Sequence, residues 1–113
     1  MAISWIQLTQ INQVDAALAN SFLKTAVFFK HSTRCIVSKH ALRQFESEWN
    51  FNTTQIEFYF LDLLNFREIS NYIAESTEVH HQSPQIIVVK DNSIIYNASH
   101  ENISAIDLHN KLI

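Results

Sequence analysis

The chain of 113 residues contains no glycine, one proline and one cysteine. The absence of glycine excludes the glycine-rich loops that bind phosphates and dinucleotides, so tight turns must use Asn, Asp or Ser. A single cysteine cannot form an internal disulfide, which excludes a disulfide-stapled secreted scaffold. The chain also lacks an apolar run of ~20 residues, the length that a membrane-spanning helix needs.

Basic residues are few as well: eight Lys and Arg stand against eleven Asp and Glu, and the formal net charge is −3. No basic cluster offers a surface to a phosphate backbone, so nucleic acid is not an expected partner. Residues 1–5 contain no basic segment followed by an apolar run, so we expect no signal peptide. We therefore expect a protein of the cytoplasm that is not attached to a membrane and whose thiol stays reduced.

The six histidines do not form a recognisable metal site. His80 and His81 are adjacent, so their side chains point in different directions, and the other four show no ligand spacing on one helix face. A zinc site usually combines several Cys and His ligands, and this chain has one cysteine. We therefore expect no metal and no other bound cofactor.

Apolar residues make up 47% of the chain, which is enough for one domain over residues 1–113. The hydrophobic periodicity predicts elements in the order β-α-β-α-β-α-β-β-α. The predicted strands are residues 4–8, 25–30, 55–62, 85–90 and 93–97, and the predicted helices begin at the N-caps Asn12, Asn65 and Ser104 and at Ile36. The βαβ units predict parallel pairing, whereas Asp91 and Asn92 predict a hairpin and an antiparallel edge. The predicted fold class is α/β, with a mixed central sheet flanked by helices.

Cys35 lies between a strand predicted to be buried, residues 25–30, and a predicted helix, residues 36–49. The N–H groups and the dipole at a helix N-terminus favour the thiolate, which is the nucleophilic form of cysteine. The polar residues 31–34 separate Cys35 from the apolar run, where a structural cysteine would be expected. We therefore predict that Cys35 is a reactive nucleophile; the alternative is a buried and inert cysteine.

Four neighbours are expected to support the thiolate. Arg34 and Lys39 carry positive charge, His31 begins the polar stretch that precedes Cys35, and Ser38 follows the cysteine by three residues. The Ser38 hydroxyl is placed to donate a hydrogen bond to the sulfur across the first helical turn. Ser38 also occupies the position of the second cysteine in a dithiol site, and serine cannot form a disulfide. The alternative for Ser38 is a polar residue that satisfies the helix N-terminus.

The single proline, Pro84, directly precedes the predicted strand 85–90. A proline at the start of a strand is ordinary, and only about 5–6% of X–Pro bonds are cis. A cis Ser83–Pro84 bond beside a thiol would expose the backbone groups of Ser83 to a substrate chain. The residue pattern alone leaves both isomers open.

Two segments together resemble the YtxJ family of small thioredoxin-like proteins, which are also called monothiol bacilliredoxins. The first is residues 29–38, FKHSTRCIVS, and the second is residues 81–89, HQSPQIIVV. A third and weaker segment is residues 98–104, where Ala-Ser-His is followed by Ile-Ser. The resemblance covers nearly the whole chain, and the order and spacing of the segments agree.

The resemblance implies a thioredoxin-like fold and thiol–disulfide oxidoreductase activity, with Cys35 as the catalytic nucleophile and a cis Pro84 beside it. Ser83, Pro84 and Thr33 are then expected to bind the substrate chain. The implied co-substrate is bacillithiol, a small thiol that some bacteria use in place of glutathione. The implied substrates are S-bacillithiolated proteins, and we expect a monomer or a weak dimer.

Three positions depart from the family pattern. Ile36 stands where a proline usually follows the cysteine, and Glu101 stands where an aromatic residue commonly follows the Ser-His pair. Asp91-Asn92 replaces the usual Asp-Gly of the last hairpin. The first two departures concern substrate range and efficiency, and the third concerns turn chemistry.

Two other classes of function stay open at this point. One is a non-catalytic thioredoxin-like module that binds a peptide at the Pro84 surface, for which the thiol would be unreactive. The other is a regulatory subunit that Cys35 links to a partner by an intermolecular disulfide, for which mild oxidation would give a covalent dimer.

Overall fold

The computed structural model describes residues 3–113, so Met1 and Ala2, which belong to the segment expected to lack a signal peptide, lie outside the described residues. The order of helices and strands agrees with the predicted one. The elements are β1 Trp5–Gln7, α1 Ile11–Ala19, β2 Thr25–His31, α2 Ile36–Glu48, β3 Ile56–Asp62, α3 Arg67–Thr77, β4 Gln85–Lys90, β5 Ser93–Ser99 and α4 Ala105–Leu112. Two short 3₁₀ helices, Asn20–Phe22 and His100–Asn102, have no counterpart in the sequence prediction.

The five strands form one sheet in the order β1-β3-β2-β4-β5. The pairs β1–β3 and β3–β2 are parallel, whereas β4 is antiparallel to both β2 and β5. This confirms the predicted mixed α/β sheet. In the central pair, Lys30 at the end of β2 faces Gln85 at the start of β4. The segments that follow β2 and precede β4 therefore meet at one edge of the sheet.

The sheet has an apolar core on each face, because the side chains of a strand alternate between its two faces. Every residue of β2 is buried, as its nearly continuous apolar run predicts. Phe28 packs on the face covered by α1 and α3, with Val14, Ile69 and Ile73. The opposite core is formed mainly by β2, β3, β4, α2 and α4, and its members include Val27, Phe29, Phe45, Phe58, Ile86 and Leu108. Burying such a side chain stabilises the fold by about 1.5–3 kcal/mol.

Two of the predicted helix caps are wrong. Helix α1 begins after Gln10, because the Gln13 side-chain oxygen accepts the Gln10 N–H at 3.0 Å, and Asn12 lies inside the helix. Helix α3 begins after Phe66, because Asn65 is engaged elsewhere: its Nδ2 donates to Asp62 Oδ2 at 2.7 Å. Gln13 has taken over the capping role that the sequence pattern assigned to Asn12, whereas α3 begins after Phe66 without a side-chain cap.

The last hairpin and the last helix agree with their predictions. Asp91 and Asn92 have φ of 52° and 58°, the two left-handed positions that a two-residue hairpin requires. The Ser104 hydroxyl accepts the Asp107 N–H at 3.1 Å and caps α4. Glu78 has φ of 58° at the end of α3, a position that usually carries glycine. Within residues 3–113, no helix is both long enough and apolar enough to cross a membrane.

Candidate active site

Cys35 is the N-cap of the 13-residue helix α2 and has an extended backbone, with φ of −103° and ψ of 122°. Its N–H donates to the Ser32 carbonyl at 3.2 Å, and its carbonyl accepts the Lys39 N–H at 3.1 Å. The side chain is half-buried, so it is not enclosed in the core. The thiol therefore lies at a helix N-terminus, where unpaired N–H groups favour an anion.

The Ser38 hydroxyl supports the loop that carries the thiol. Ser38 is fully buried, its Oγ accepts the Ser32 N–H at 3.0 Å, and the same atom lies 2.7 Å from Nδ1 of His31. A hydroxyl satisfies both partners when it also donates its proton to an unprotonated Nδ1. The expected hydrogen bond from Ser38 to the Cys35 sulfur is replaced by these two contacts, because the loop folds the Ser32 N–H and the His31 ring over the hydroxyl.

His31 is held as a neutral ring at the end of β2. The ring is buried, and its centre lies 5.4 Å from that of Phe60. Burial lowers the pKa of His31 and is the largest influence, the charge of Asp62 opposes it, and Lys39 lowers the pKa further. A neutral ring is the form that accepts a hydrogen bond from Ser38. His31 is thus a supporting residue of the thiol loop.

The remaining predicted residues of the loop are exposed. Thr33 and Arg34 lie in the turn before Cys35, and the Lys39 side chain points to solvent from the first turns of α2. These positions are within reach of an incoming substrate. The roles assigned to them, charge support by Arg34 and Lys39 and substrate binding by Thr33, stay predictions.

The segment around Pro84 reaches the same edge of the sheet. The Ser83–Pro84 peptide bond is cis, Pro84 is buried, and Ser83 is half-buried. The Pro84 carbonyl accepts the N–H of His100 at 3.1 Å. Since Gln85 pairs with Lys30, the structure brings the Ser83–Pro84 segment and the loop of residues 32–35 to adjacent strand ends.

Lys30 is a site residue that the sequence patterns missed. It is fully buried; its Nζ donates to the Ser70 carbonyl at 3.1 Å and lies 3.3 Å from Nδ1 of His81. Burial and, to a smaller extent, the nearby Arg67 guanidinium lower the pKa of Lys30 to about 8. The available signal was a lysine at the end of a strand predicted to be buried on both faces.

Asp62 is a second residue that the sequence patterns missed. It lies opposite His31 in the parallel β2–β3 pairing. Its Oδ2 accepts the Asn65 amide, whereas its Oδ1 is buried without a hydrogen-bond partner among the described residues. The signal was a carboxylate at the very end of a strand, the usual position of site residues in such sheets.

The family model of the monothiol bacilliredoxin BrxC matches residues 6–108. The chain belongs to the monothiol bacilliredoxin family. This confirms the resemblance carried by the segments around Cys35 and Pro84.

The fold of this chain is similar to that of several solved structures. A structure described as a candidate oxidoreductase with a thioredoxin fold is 28% identical, with a TM-score of 0.80; the match covers 96% of this chain and 94% of that one. Schistosoma mansoni thioredoxin is 18% identical, with a TM-score of 0.72 and coverage of 97% and 96%. Spinach chloroplast thioredoxin f is 14% identical, with a TM-score of 0.67 and coverage of 96% and 90%. The fold is therefore thioredoxin-like.

The first turn of α2 in this bacilliredoxin is apolar and open to solvent. Ile36 is 67% exposed and Val37 is 45% exposed. The inward face is formed by Ser38, Ala41 and Phe45, three and four residues apart, which leaves Val37 on the adjoining surface. An apolar surface thus adjoins the thiol.

The third segment that resembles the family also lies against α2. A cavity of about 90 Å³ separates the helix from the 3₁₀ helix His100–Asn102. Its lining residues are Val37, His40, Ala41, Gln44, His100, Glu101 and Ile103. The departure at Glu101 therefore places a carboxylate beside the helix that begins at Cys35. Over residues 3–113, no group of three or more His, Cys, Asp or Glu side chains is arranged to hold a metal ion.

Proposed function

We propose that this protein removes bacillithiol from mixed disulfides on oxidised proteins by thiol–disulfide exchange. The observation that carries the proposal is the half-buried Cys35 thiol at the N-cap of α2, at the sheet edge that also holds Ser83 and Pro84. Membership of the monothiol bacilliredoxin family supports bacillithiol as the co-substrate and S-bacillithiolated proteins as the substrates.

The first step is an attack of the Cys35 thiolate on the bacillithiol sulfur of the mixed disulfide. The bond between the two sulfurs of the substrate breaks, the target cysteine leaves as a thiolate and takes a proton, and Cys35 forms a disulfide with bacillithiol. Ser83 and Pro84 hold the substrate chain across the thiol during this step. The electron pair of the broken bond stays on the restored target cysteine.

The second step needs a thiol from outside the chain, because position 38 carries a hydroxyl and no other cysteine exists. A second bacillithiol thiolate, or the thiol of a redox partner protein, attacks the bacillithiol sulfur bound to Cys35. Cys35 leaves as a thiolate, and the attacking thiol ends in a disulfide with bacillithiol. The disulfide is therefore passed from the target cysteine through Cys35 to the external thiol, with one disulfide consumed and one formed.

Mass spectrometry after incubation with bacillithiol disulfide tests the proposal. We expect the mass of one bacillithiol to be added to the wild-type protein at Cys35 and removed by an excess of bacillithiol. The variant Cys35→Ser is expected to stay unmodified. An unmodified wild-type thiol would overturn the proposal, and an adduct that forms with glutathione disulfide at the same rate would overturn the assignment of bacillithiol.

A further inference from the structure

Lys30 is a fully buried lysine that the two exchange steps do not use. It is the residue before the last one of β2 and lies on the face of the sheet covered by α3, whereas His31 and the thiol loop lie on the face covered by α2. An ammonium group is costly to remove from water unless it is hydrogen-bonded. An apolar side chain would suit this buried strand better, so the contacts of the Lys30 nitrogen need an explanation.

The Lys30 nitrogen joins three parts of the fold. From β2 it donates to the carbonyl of Ser70 in α3 at 3.1 Å and lies 3.3 Å from Nδ1 of His81, which belongs to the loop between α3 and β4. The Ser70 hydroxyl lies 3.1 Å from the same Nδ1. A charged lysine only donates, so Nδ1 accepts and the His81 ring is neutral. Burial lowers the pKa of His81, and the charges of Lys30 and Arg67 lower it further, in agreement with this assignment.

His81 lies three residues before Pro84, in the loop that leads to the proposed substrate-binding segment. Other contacts of this loop use its backbone: Gln85 Nε2 donates to the His80 carbonyl at 2.9 Å, and the Pro84 carbonyl accepts from His100. His81 adds a side-chain anchor that ties the loop to β2, the strand that leads to Cys35. Only a side chain with a long stem and a terminal donor reaches both His81 and Ser70 from the strand.

We propose that Lys30 is a positioning residue for thiol exchange, which holds the Ser83–Pro84 segment in place through its hydrogen bond to His81. This inference rests on the proposed function. Lys30 acts through the loop and does not touch the reacting sulfurs. Its removal is therefore expected to weaken substrate binding and to leave the reactivity of the Cys35 thiol unchanged.

The test compares Lys30→Met, which keeps the length and apolar stem of the side chain, with His81→Ala and His81→Asn. The assay measures KM and kcat for a peptide that carries a bacillithiol mixed disulfide. Lys30→Met and His81→Ala are each expected to raise KM about tenfold, as loss of a hydrogen bond to a charged group does, with kcat unchanged within about twofold. His81→Asn keeps an acceptor close to the position of Nδ1 and is expected to restore the wild-type KM.

Three controls separate positioning from general damage. His80→Ala changes the exposed neighbouring histidine and is expected to leave KM unchanged, because its backbone contact with Gln85 remains. Alkylation of Cys35 by iodoacetamide, which needs no loop contact, is expected to proceed at the wild-type rate in every variant. The double variant Lys30→Met/His81→Ala is expected to be no worse than either single variant, because both remove the same contact.

The outcomes distinguish this inference from the proposed function. A wild-type protein that does not reduce the peptide refutes the proposed function and this inference with it. If the wild-type protein is active, two results would refute the role of Lys30 without touching the proposed function. One is an unchanged KM in Lys30→Met. The other is a rise in KM of the double variant that equals the product of the rises in the two single variants. If Lys30→Met does not fold, His81→Ala decides the question, because His81 is half-exposed and its removal leaves the core intact.

Discussion

Two polar clusters flank the end of β2, one on each face of the sheet. On the α2 face, Nδ1 of His31 lies 2.7 Å from the buried hydroxyl of Ser38. On the α3 face, Nδ1 of His81 lies 3.1 Å from the buried hydroxyl of Ser70. Both clusters join a histidine of lowered pKa to a helix serine, and each is connected to one of the two loops of the proposed site.

The clusters differ in charge and in what they hold. The His31 cluster contains no buried cation and folds the loop of residues 32–35, which positions the thiol. The His81 cluster contains the buried ammonium of Lys30 and ties down the loop that precedes Pro84. The comparison teaches that the loop of Cys35 and the proposed substrate-binding segment are held by separate clusters, on opposite faces of one strand. A change in one cluster should therefore leave the task of the other unaffected.

The largest effect is expected from Ser38→Ala. The change leaves the Ser32 N–H and the His31 ring without their partner in a buried place, which costs about 2–3 kcal/mol in the free energy of unfolding. Urea unfolding measures this loss, and the rate of Cys35 alkylation should change with it. Ser70→Ala is the matched control: the Ser70 carbonyl still accepts from Lys30, so we expect a loss of about 1 kcal/mol and normal alkylation. Equal losses would contradict the difference drawn between the clusters.

The second prediction concerns stability at high pH. The pKa of Lys30 is about 8 in the fold, against 10.5 for an ordinary lysine, so the folded state loses the proton first. The stability that results from this difference in pKa is fully present above pH 10.5 and is lost as the pH falls through 8. The wild-type protein should therefore gain about 2 kcal/mol relative to Lys30→Met between these pH values, after allowance for solvent screening. Urea unfolding of both proteins across this range measures the difference. If the free energies of unfolding of the wild type and of Lys30→Met differ by the same amount at every pH, the pKa of Lys30 is not lowered in the fold.

The third prediction concerns acid. Burial lowers the pKa of His31 and of His81 below the ordinary histidine value of 6.5, so as the pH falls both rings stay neutral to a lower pH in the fold than in the unfolded chain. Their contribution is present above pH 6.5 and is lost as the pH falls through the folded pKa values. His31→Asn should reduce the loss of stability in acid, and His81→Asn should reduce it less, since His81 is half-exposed. Thermal unfolding between pH 4 and 7 checks the order, and a larger effect at His81 would reverse it.

The smallest effect is expected from Ile36→Pro, which restores the residue usual in the family. Ile36 is the first residue of α2, where proline is favoured because its fixed φ suits the helix and the missing N–H is not needed. We expect a gain of about 0.5 kcal/mol from reduced freedom of the unfolded chain. Urea unfolding measures this gain in the free energy of unfolding. Val37→Pro, which places proline one residue further into the helix, is the matched comparison. A loss of stability in Ile36→Pro would show that the thiol loop depends on isoleucine.

The sequence predicted the order of elements, the mixed sheet, the Asp91-Asn92 turn and the position of Cys35 at the start of a helix, because hydrophobic periodicity and turn chemistry are local signals. The partners of Ser38 and Lys30 could not be predicted. The Ser38 hydroxyl meets a backbone N–H six residues away, and Lys30 meets Ser70 and His81 across 40 and 51 residues. Such contacts depend on how three elements pack together, and no spacing within one element reports that.

The helix caps failed for a related reason. The patterns at Asn12 and Asn65 offered short polar side chains that cap helices well, but Gln13, which bonds back to Gln10, and a contact of Asn65 with Asp62 competed successfully. Each choice depends on a difference of about 1 kcal/mol between local alternatives. The cis isomer of Ser83–Pro84 likewise had no local signal in the residue pattern and came from the family resemblance alone.

The lack of glycine has a consequence for the chain before it folds. Left-handed backbone at Glu78, Asp91, Asn92 and His100 is adopted by residues that carry a Cβ atom, at a steric cost that glycine would avoid. A polypeptide without glycine also explores fewer backbone conformations while disordered, so it surrenders less entropy when it becomes ordered. The strain at these four residues is thus offset by the lower conformational entropy of the unfolded chain, an effect to which the whole length of the molecule contributes.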